Sequence, residues 1–155
     1  MHRALTAADF QSLADLRHQI RRFLHFSEQA SRRAGLEPRQ HQVMLAIKGL
    51  PANARPRIGE IAQRLQIQHH SAVELVNRLA GGGYVRRRRG GQDRREVLLA
   101  LTPKGEKVLR ELSLYHRAEL QSAGPALVRA LRDAMRGIAS SRTQQTTFTK
   151  HRRTA

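Results

Sequence analysis

The chain has 155 residues, enough for one compact domain or for a small domain with a scaffold built around it. Apolar residues make up 39% of it and aromatic residues only 4%, so we expect an aliphatic core and a mainly helical fold. The formal charge of +17, dominated by Arg, exceeds what solubility requires and predicts a polyanionic partner, with nucleic acid ahead of an anionic membrane. The chain contains no Cys, which excludes a disulfide framework, a thiol sensor and a cysteine-ligated metal.

The apolar pattern argues against membrane insertion and export. No apolar run is longer than that of residues 97–101, which is far too short to span a bilayer. Residues 1–8 contain no apolar stretch of signal-peptide length. We therefore expect a cytoplasmic protein with no membrane partner.

The first two elements are predicted to be helices. Over residues 9–33, apolar and small side chains recur at alternating steps of three and four, which is typical of a helix that packs against another helix. Gly35 ends this helix, and Pro38 begins the next one, whose apolar stripe extends to Leu50. A loop at residues 51–56 follows.

Two short amphipathic helices come next, with a tight joint between them. The first begins at Ile58, has apolar side chains at i, i+3, i+4 and i+7, and is expected to end near Leu65. After residues 66–68, the second extends from His69 to about Gly81, the first of three consecutive glycines. Such a pair is a helix-turn-helix. The second helix is predicted to bury one face, formed by Ala72, Leu75, Val76 and Leu79.

A β-hairpin and further helices complete the chain. Strand-like segments at residues 84–88 and 96–101 flank a polar, glycine-containing connection, which predicts a wing directly after the helix-turn-helix. Thr102 is a predicted N-cap with Pro103 in the first turn, and the pair Gly124 and Pro125 is predicted to break that helix. The last helix is expected at 126–140.

These elements predict a mainly α protein with a small antiparallel β wing. The apolar stripes at both ends of the chain are more than the small central domain can cover alone, so we expect packing within and between two copies. The predicted organisation is an N-terminal dimerisation helix at 1–35, a winged helix-turn-helix DNA-binding domain at 36–101, C-terminal dimerisation helices at 102–140, and a disordered basic tail at 141–155.

Five landmarks in this order resemble the MarR family of winged-helix regulators. They are Ile58-Gly59-Glu60-Ile61-Ala62, Val76-Asn77-Arg78-Leu79, Gly83-Tyr84-Val85-Arg86, Asp93-Arg94-Arg95 and Leu101-Thr102-Pro103-Lys104-Gly105. The resemblance implies an obligate homodimer that binds a palindromic site in double-stranded DNA, and often a small-molecule effector that loosens DNA binding. It implies a bacterial, nucleoid-associated transcriptional regulator, with repression as the expected mode.

The chain departs from the family pattern at the helix-turn-helix. Arg57 and Gln68 stand where the family tends to place Ser or Thr, so two helix N-caps are missing. Gln66 stands in the joint where Gly is common, and a left-handed backbone there would cost about 1 kcal/mol or more.

The second helix of the motif is expected to enter the major groove. Its buried face turns the opposite side outward, where Gln68 and His70 can reach base edges and Val73 can contact a thymine methyl group. Glu74 is predicted either to accept from cytosine N4 or to pair with Arg78 at i,i+4, and we weigh these two roles equally. The predicted DNA-contacting residues of this helix are Gln68, His69, His70, Ser71, Val73, Glu74, Asn77 and Arg78.

The wing supplies the predicted phosphate contacts. In the arginine run at 86–89 these are Arg86, Arg88 and Arg89, and the alternative is a solvated charge run. Arg94, at the tip, is expected to insert into the minor groove, with Arg95 as a further DNA contact. By resemblance, Asp93 is a structural residue that holds a nearby Arg, with Arg95 as the first choice.

Metal binding and catalysis are not predicted. His18 and His25 share a helix face, but the eight histidines include no His-x-x-x-His pair with a carboxylate. No nucleophile with a suitable base stands out, so we expect neither enzyme activity nor a cofactor. The competing function is a nucleoid-associated or RNA-binding structural protein, which would bind specific and random DNA almost equally.

Overall fold

The computed structural model describes the backbone of residues 4–90 and 95–150, and side chains up to residue 136. The elements are α1 (Ala7–Arg33), α2 (Pro38–Lys48), α3 (Ile58–Leu65), α4 (His69–Gly81), β1 (Val85–Arg89), β2 (Val97–Leu101) and α5 (Pro103–Lys150). The strands form an antiparallel hairpin in which Val85 lies opposite Leu101 and Arg89 opposite Val97. This confirms the predicted mainly helical fold with a small wing. Within the described ranges, no helix is both long enough and apolar enough to cross a membrane.

The chain divides into two compact units. One comprises the described parts of Met1–Phe26 and Arg117–Ala155, and the other is Ser27–His116. The second unit therefore contains α2, α3, α4 and the wing, together with the end of α1 and the start of α5. The predicted segments divide the chain at other positions, and their boundaries stay a prediction.

The core of the second unit determines which side of α4 faces outward. Its fully buried members include Val43 and Met44 from α2, Ile61 from α3 and Leu99 from β2. Each buried aliphatic side chain of this size contributes about 1.5–3 kcal/mol of transfer free energy. The four residues of α4 that pack into this core are the predicted ones, Ala72, Leu75, Val76 and Leu79.

The joint between α3 and α4 has the strained backbone that its sequence implies. Gln66 adopts φ 52° and ψ 43°, in the left-handed region. The Ile67 N–H donates to the Ala62 carbonyl at 3.0 Å, which closes the end of α3. Neither Arg57 before α3 nor Gln68 before α4 makes a side-chain capping hydrogen bond, so the two missing caps are confirmed.

A close backbone contact connects α5 to the start of the wing. Thr102 accepts a hydrogen bond from the Gly105 N–H at 3.1 Å, which confirms the predicted N-cap, and its hydroxyl donates to the Gly83 carbonyl at 2.6 Å. A Cβ atom on Gly105 would lie 2.1 Å from the Tyr84 carbonyl oxygen, so only glycine fits there. Lys104 reaches the Gly82 carbonyl at 2.7 Å and lies 4.3 Å from the centre of the Tyr84 ring.

The predicted break in the C-terminal region is wrong. Pro125 lies inside α5, which is one helix through Gly124 and continues to Lys150. Proline removes one backbone hydrogen bond and crowds the preceding turn, but it does not prevent a helix whose flanking turns are stabilised elsewhere. Downstream of Pro125, Ala130 and Ala134 are buried. The C-terminal region is therefore a single helix. Residues 141–150, which were predicted to belong to a disordered tail, are part of this helix.

The other differences are small. β1 begins at Val85 and β2 at Val97, each one residue later than predicted, and α1 begins at Ala7. The predicted α3 and α4 have the bounds expected from their apolar spacing.

Candidate nucleic-acid interface

Helix α4 presents a polar row to the solvent. Gln68, His69, His70, Glu74, Asn77 and Arg78 are exposed, and Ser71 and Val73 are half-buried. The spacing of the buried residues fixes this arrangement, because a helix with one apolar face anchored in a core has only one face left for a partner. All eight residues predicted to contact DNA from this helix therefore lie at or near its accessible surface.

A charged groove lies beside α4. It has a volume of about 450 Å³ and lies between the end of α1, the start of α2 and one side of α4. Glu74 and Arg78 both line it, yet no ion pair between them occurs among the described side chains. The predicted ion pair of Glu74 with Arg78 is therefore not observed, and the Glu74 carboxylate remains accessible. Other charged residues of the groove are Glu28, Arg32, Glu37 and Arg39.

The wing carries four consecutive exposed arginines on β1. Val85 is buried, whereas Arg86, Arg87, Arg88 and Arg89 are all exposed. Alternation along the strand separates them, so that Val85, Arg87 and Arg89 share one face and Arg86 and Arg88 the other. A two-stranded sheet leaves both faces partly open, which explains why none of the four is buried.

One of these arginines joins the wing to α4. The Arg87 Nη2 donates to Asn77 Oδ1 at 2.6 Å. The alternation of β1 explains the contact, because Arg87 follows Val85 on the face that packs against the core. Arg87 is not among the predicted phosphate contacts. The side-chain amide oxygen of Asn77 accepts this hydrogen bond within the chain and does not face only the solvent.

A buried carboxylate lies at the base of the wing. The Glu96 side chain is only 5% exposed and contacts two guanidinium groups. Arg55 Nη1 lies 2.6 Å from Glu96 Oε2, and Arg57 contacts Glu96 Oε1 through both Nε and Nη2. The sequence-based predictions missed this cluster. Its only local signal in the sequence is the presence of Arg55 and Arg57 on either side of Pro56.

The tip of the wing lies outside the described residues. Asp93 and Arg94 fall there, so both their predicted roles and the pairing of Asp93 with Arg95 stay predictions. Arg95 itself is exposed and lines a second groove, of about 390 Å³, together with Arg57, His69 and Glu96.

A histidine pair connects α2 and α5 within the second unit. The rings of His41 on α2 and His116 on α5 stack with centroids 4.9 Å apart and an interplanar angle of 6°. His116 donates from Nδ1 to the Leu112 carbonyl at 2.6 Å, and its Nε2 forms a hydrogen bond with the Ser27 hydroxyl at 2.8 Å. His41 is 2% exposed, and neither of its ring nitrogens has a hydrogen-bond partner. Burial, together with the neighbouring His116, lowers the pKa of His41 to about 4.

No cluster of three or more metal-ligating side chains occurs in the part of the chain whose side chains are described. The parallel stacking of the His41 and His116 rings is a packing contact.

Comparison with known proteins identifies the type of domain. A family model described as the MarR family matches residues 34–96, which cover α2, the helix-turn-helix and most of the wing. No curated protein matches the chain. The match confirms the resemblance to the MarR family that the sequence landmarks indicate.

Solved structures confirm the fold over a longer part of the chain. AbsC, a MarR family transcriptional regulator from Streptomyces coelicolor, is 20% identical with a TM-score of 0.68, and the match covers 89% of this chain and 96% of AbsC. A mutant of S. aureus MepR bound to an oligodeoxyribonucleotide is 15% identical with a TM-score of 0.59, over 84% of this chain and 94% of MepR. CouR from Rhodococcus jostii RHA1, bound to p-coumaroyl-CoA, is 22% identical with a TM-score of 0.59, over 76% of this chain and 83% of CouR.

Proposed function

We propose that this chain is a transcriptional regulator that binds double-stranded DNA in a sequence-specific manner, because its central region is a winged helix-turn-helix domain of MarR type. The observation that carries the proposal is the division of α4 into a buried apolar face and an exposed polar one, beside a wing with four exposed arginines. A helix held in this way can enter the major groove while the wing contacts the backbone or the minor groove. The oligonucleotide bound to the MepR mutant supports DNA as the partner.

We propose that the wing and α4 have different roles in DNA recognition. Arginines of β1 provide affinity through phosphates, which carry no sequence information. The outward residues of α4 provide discrimination, with Glu74 as the acceptor for a cytosine amino group and His70 as a donor or acceptor at a base edge. The accessible carboxylate of Glu74 supports this, because an acid facing phosphates is otherwise unfavourable.

We also propose that the active form is a homodimer on a palindromic operator, in the cytoplasm and on the nucleoid. Large apolar side chains are exposed in the unit that contains both ends of the chain, and Phe10 and Met135 are 59% and 58% exposed. Burial of such side chains against a second copy removes apolar surface from water and so stabilises the dimer. The further exposed members are Leu5, Leu13, Ile20, Leu24, Leu120, Val128 and Leu131.

The expected mode is repression that a small-molecule effector relieves. The acyl-CoA ligand bound to CouR supports an effector of this general kind. The chain has no Cys, so the signal is not oxidation of a thiol.

The competing function, a nucleoid-associated or RNA-binding protein without sequence preference, is favoured by the formal charge of +17 alone. The two functions are separated by titrations against operator and random DNA, after footprinting the protein on the region upstream of its own gene. Replacing His70 or Glu74 by Ala should weaken operator binding by about 1–3 kcal/mol and leave random DNA almost unchanged. Arg88→Ala, the control, should weaken both. If all three variants lose affinity equally on both DNAs, the structural-protein function replaces the regulator.

A further inference from the structure

The predicted DNA-contacting residues lie on α4 and the wing, but a third cationic feature lies between them. Arg55 and Arg57 stand on either side of Pro56, immediately before α3. Their side chains are 45% and 57% exposed, so both guanidinium groups are accessible although both contact buried Glu96. Two guanidinium charges against one carboxylate leave this cluster with a net positive charge.

The backbone explains why the two arginines lie together. Pro56 fixes its own φ and has no N–H, but its carbonyl accepts a hydrogen bond from the Leu99 N–H of β2 at 2.7 Å. This contact attaches the loop to the wing. The Arg57 N–H also donates to the Arg55 carbonyl at 2.7 Å, so Pro56 is the centre of a tight three-residue turn that holds the two arginines close together. Both guanidinium groups contact Glu96, which lies one residue before β2.

The location of the cluster connects it to the proposed DNA-binding surface. Arg57 lines the groove of about 390 Å³ that also contains His69, the first residue of α4, and Arg95 of the wing. On the other side of Arg57, a concavity lined by Asn53, Arg55 and Glu60 continues along the loop. Glu60 does not neutralise the cluster, because its carboxylate pairs with Arg64 at 2.8 Å.

We propose that Arg55 and Arg57 form a phosphate clamp that extends the DNA-binding surface to the loop before α3, and that Glu96 is the positioning residue that holds both guanidinium groups in place. Each guanidinium has five N–H donors, and Glu96 occupies only some of them. Both side chains are about half exposed, so the donors that Glu96 leaves over can be reached from solvent. An arginine that is already held loses less side-chain entropy on binding a phosphate than one that is free to move. This proposal rests on the proposed DNA-binding function.

The salt dependence of DNA binding tests the clamp directly. The logarithm of the binding constant falls with the logarithm of salt concentration, and each lost phosphate contact reduces that slope by about one unit. Arg55→Ala and Arg57→Ala should each reduce the slope by about one unit, on operator and random DNA alike, because phosphates carry no sequence. Arg110→Ala, which removes one exposed charge from α5 in the same unit, is the matched control and should leave the slope unchanged.

Glu96→Gln separates positioning from simple electrostatics. The substitution keeps the shape of the side chain and removes the negative charge, so the net charge of the cluster rises by one. If Glu96 only masks the arginines, the variant binds both DNAs more tightly than the natural chain. If Glu96 positions them, the released guanidinium groups bind phosphate less well, so the affinity falls and the slope shifts toward that of the arginine variants. We expect the second result.

Three results would overturn the clamp or its basis. Unchanged slopes in both arginine variants remove the clamp, and this arm remains decisive if Glu96→Gln does not fold. Tighter binding by folded Glu96→Gln removes the positioning role. A natural chain that shows no salt-dependent binding to any DNA removes the proposed function itself, whereas normal binding with unchanged variant slopes removes only the clamp.

Discussion

Buried His41 predicts a loss of stability in mild acid. An unfolded histidine titrates near pH 6.5, whereas burial in the core lowers the pKa of His41 to about 4. Between these values the unfolded chain binds a proton that the folded chain does not. The folded-state pKa is depressed, so this contribution to stability is fully present above pH 6.5 and is lost as the pH falls toward 4.

The magnitude follows from the two pKa values. The free energy of unfolding changes by RT times the logarithm of the ratio of the two proton-binding polynomials, one for the unfolded and one for the folded state. With pKa values of 6.5 and about 4, lowering the pH from 7.5 to 5 removes about 2 kcal/mol. Such a loss is a large fraction of the stability of a typical domain.

Urea unfolding at pH 7.5 and 5, at one fixed protein concentration, measures the effect. His41→Leu has a similar volume and sacrifices no hydrogen bond, because both ring nitrogens of His41 lack partners. We expect the natural chain to lose about 2 kcal/mol more between these pH values than His41→Leu does. His70→Ala, which removes an exposed histidine, should behave like the natural chain. Equal pH dependence in the natural chain and His41→Leu would refute the reasoning.

Three further predictions concern the backbone and the chain ends. Gln66→Gly should raise the free energy of unfolding by roughly 0.5–1 kcal/mol in urea melts, since glycine relieves the left-handed strain at some cost in unfolded-state entropy; a loss of stability would contradict this. Gly105→Ala should lower it by at least about 2 kcal/mol because the new Cβ overlaps the Tyr84 carbonyl, whereas Gly124→Ala, with open space around it in the same helix, should be neutral or stabilising; equal effects would disprove the close-contact argument. Deleting residues 1–33 should yield aggregate or a molten species, as judged by light scattering and near-UV circular dichroism, and a folded DNA-binding monomer would argue against the dimer.

The sequence predicts the helix-turn-helix well because its information is local. The apolar spacing in α4 sets which residues are buried, and the burial of Leu75 and Leu79 then determines that His70 and Glu74 face outward. The hairpin is similarly local, and its strands begin only one residue later than predicted.

The features that the sequence does not predict depend on contacts between distant parts of the chain. Glu96 contacts an arginine 39 positions earlier in the chain, and no periodicity connects residues so far apart. The stacking of His41 on His116 is likewise invisible until α2 and α5 are packed together. The predicted break at Pro125 is wrong because it rests on local helix propensity alone, whereas the helix continues on both sides of Pro125. Local sequence patterns therefore predict the helices and strands, whereas the pairing of the charged groups depends on packing between residues that are distant in the sequence.

The hydrogen bond from Arg87 to Asn77 couples the position of the wing to that of α4. If the operator is bound as proposed, a base change that shifts Asn77 also shifts Arg87, and with it the wing. Base preferences in the major groove and at the flanks contacted by the wing would then not be independent. A scoring matrix that sums one term per base pair would mispredict the affinity of doubly substituted operators, and the error would disappear in Arg87→Ala.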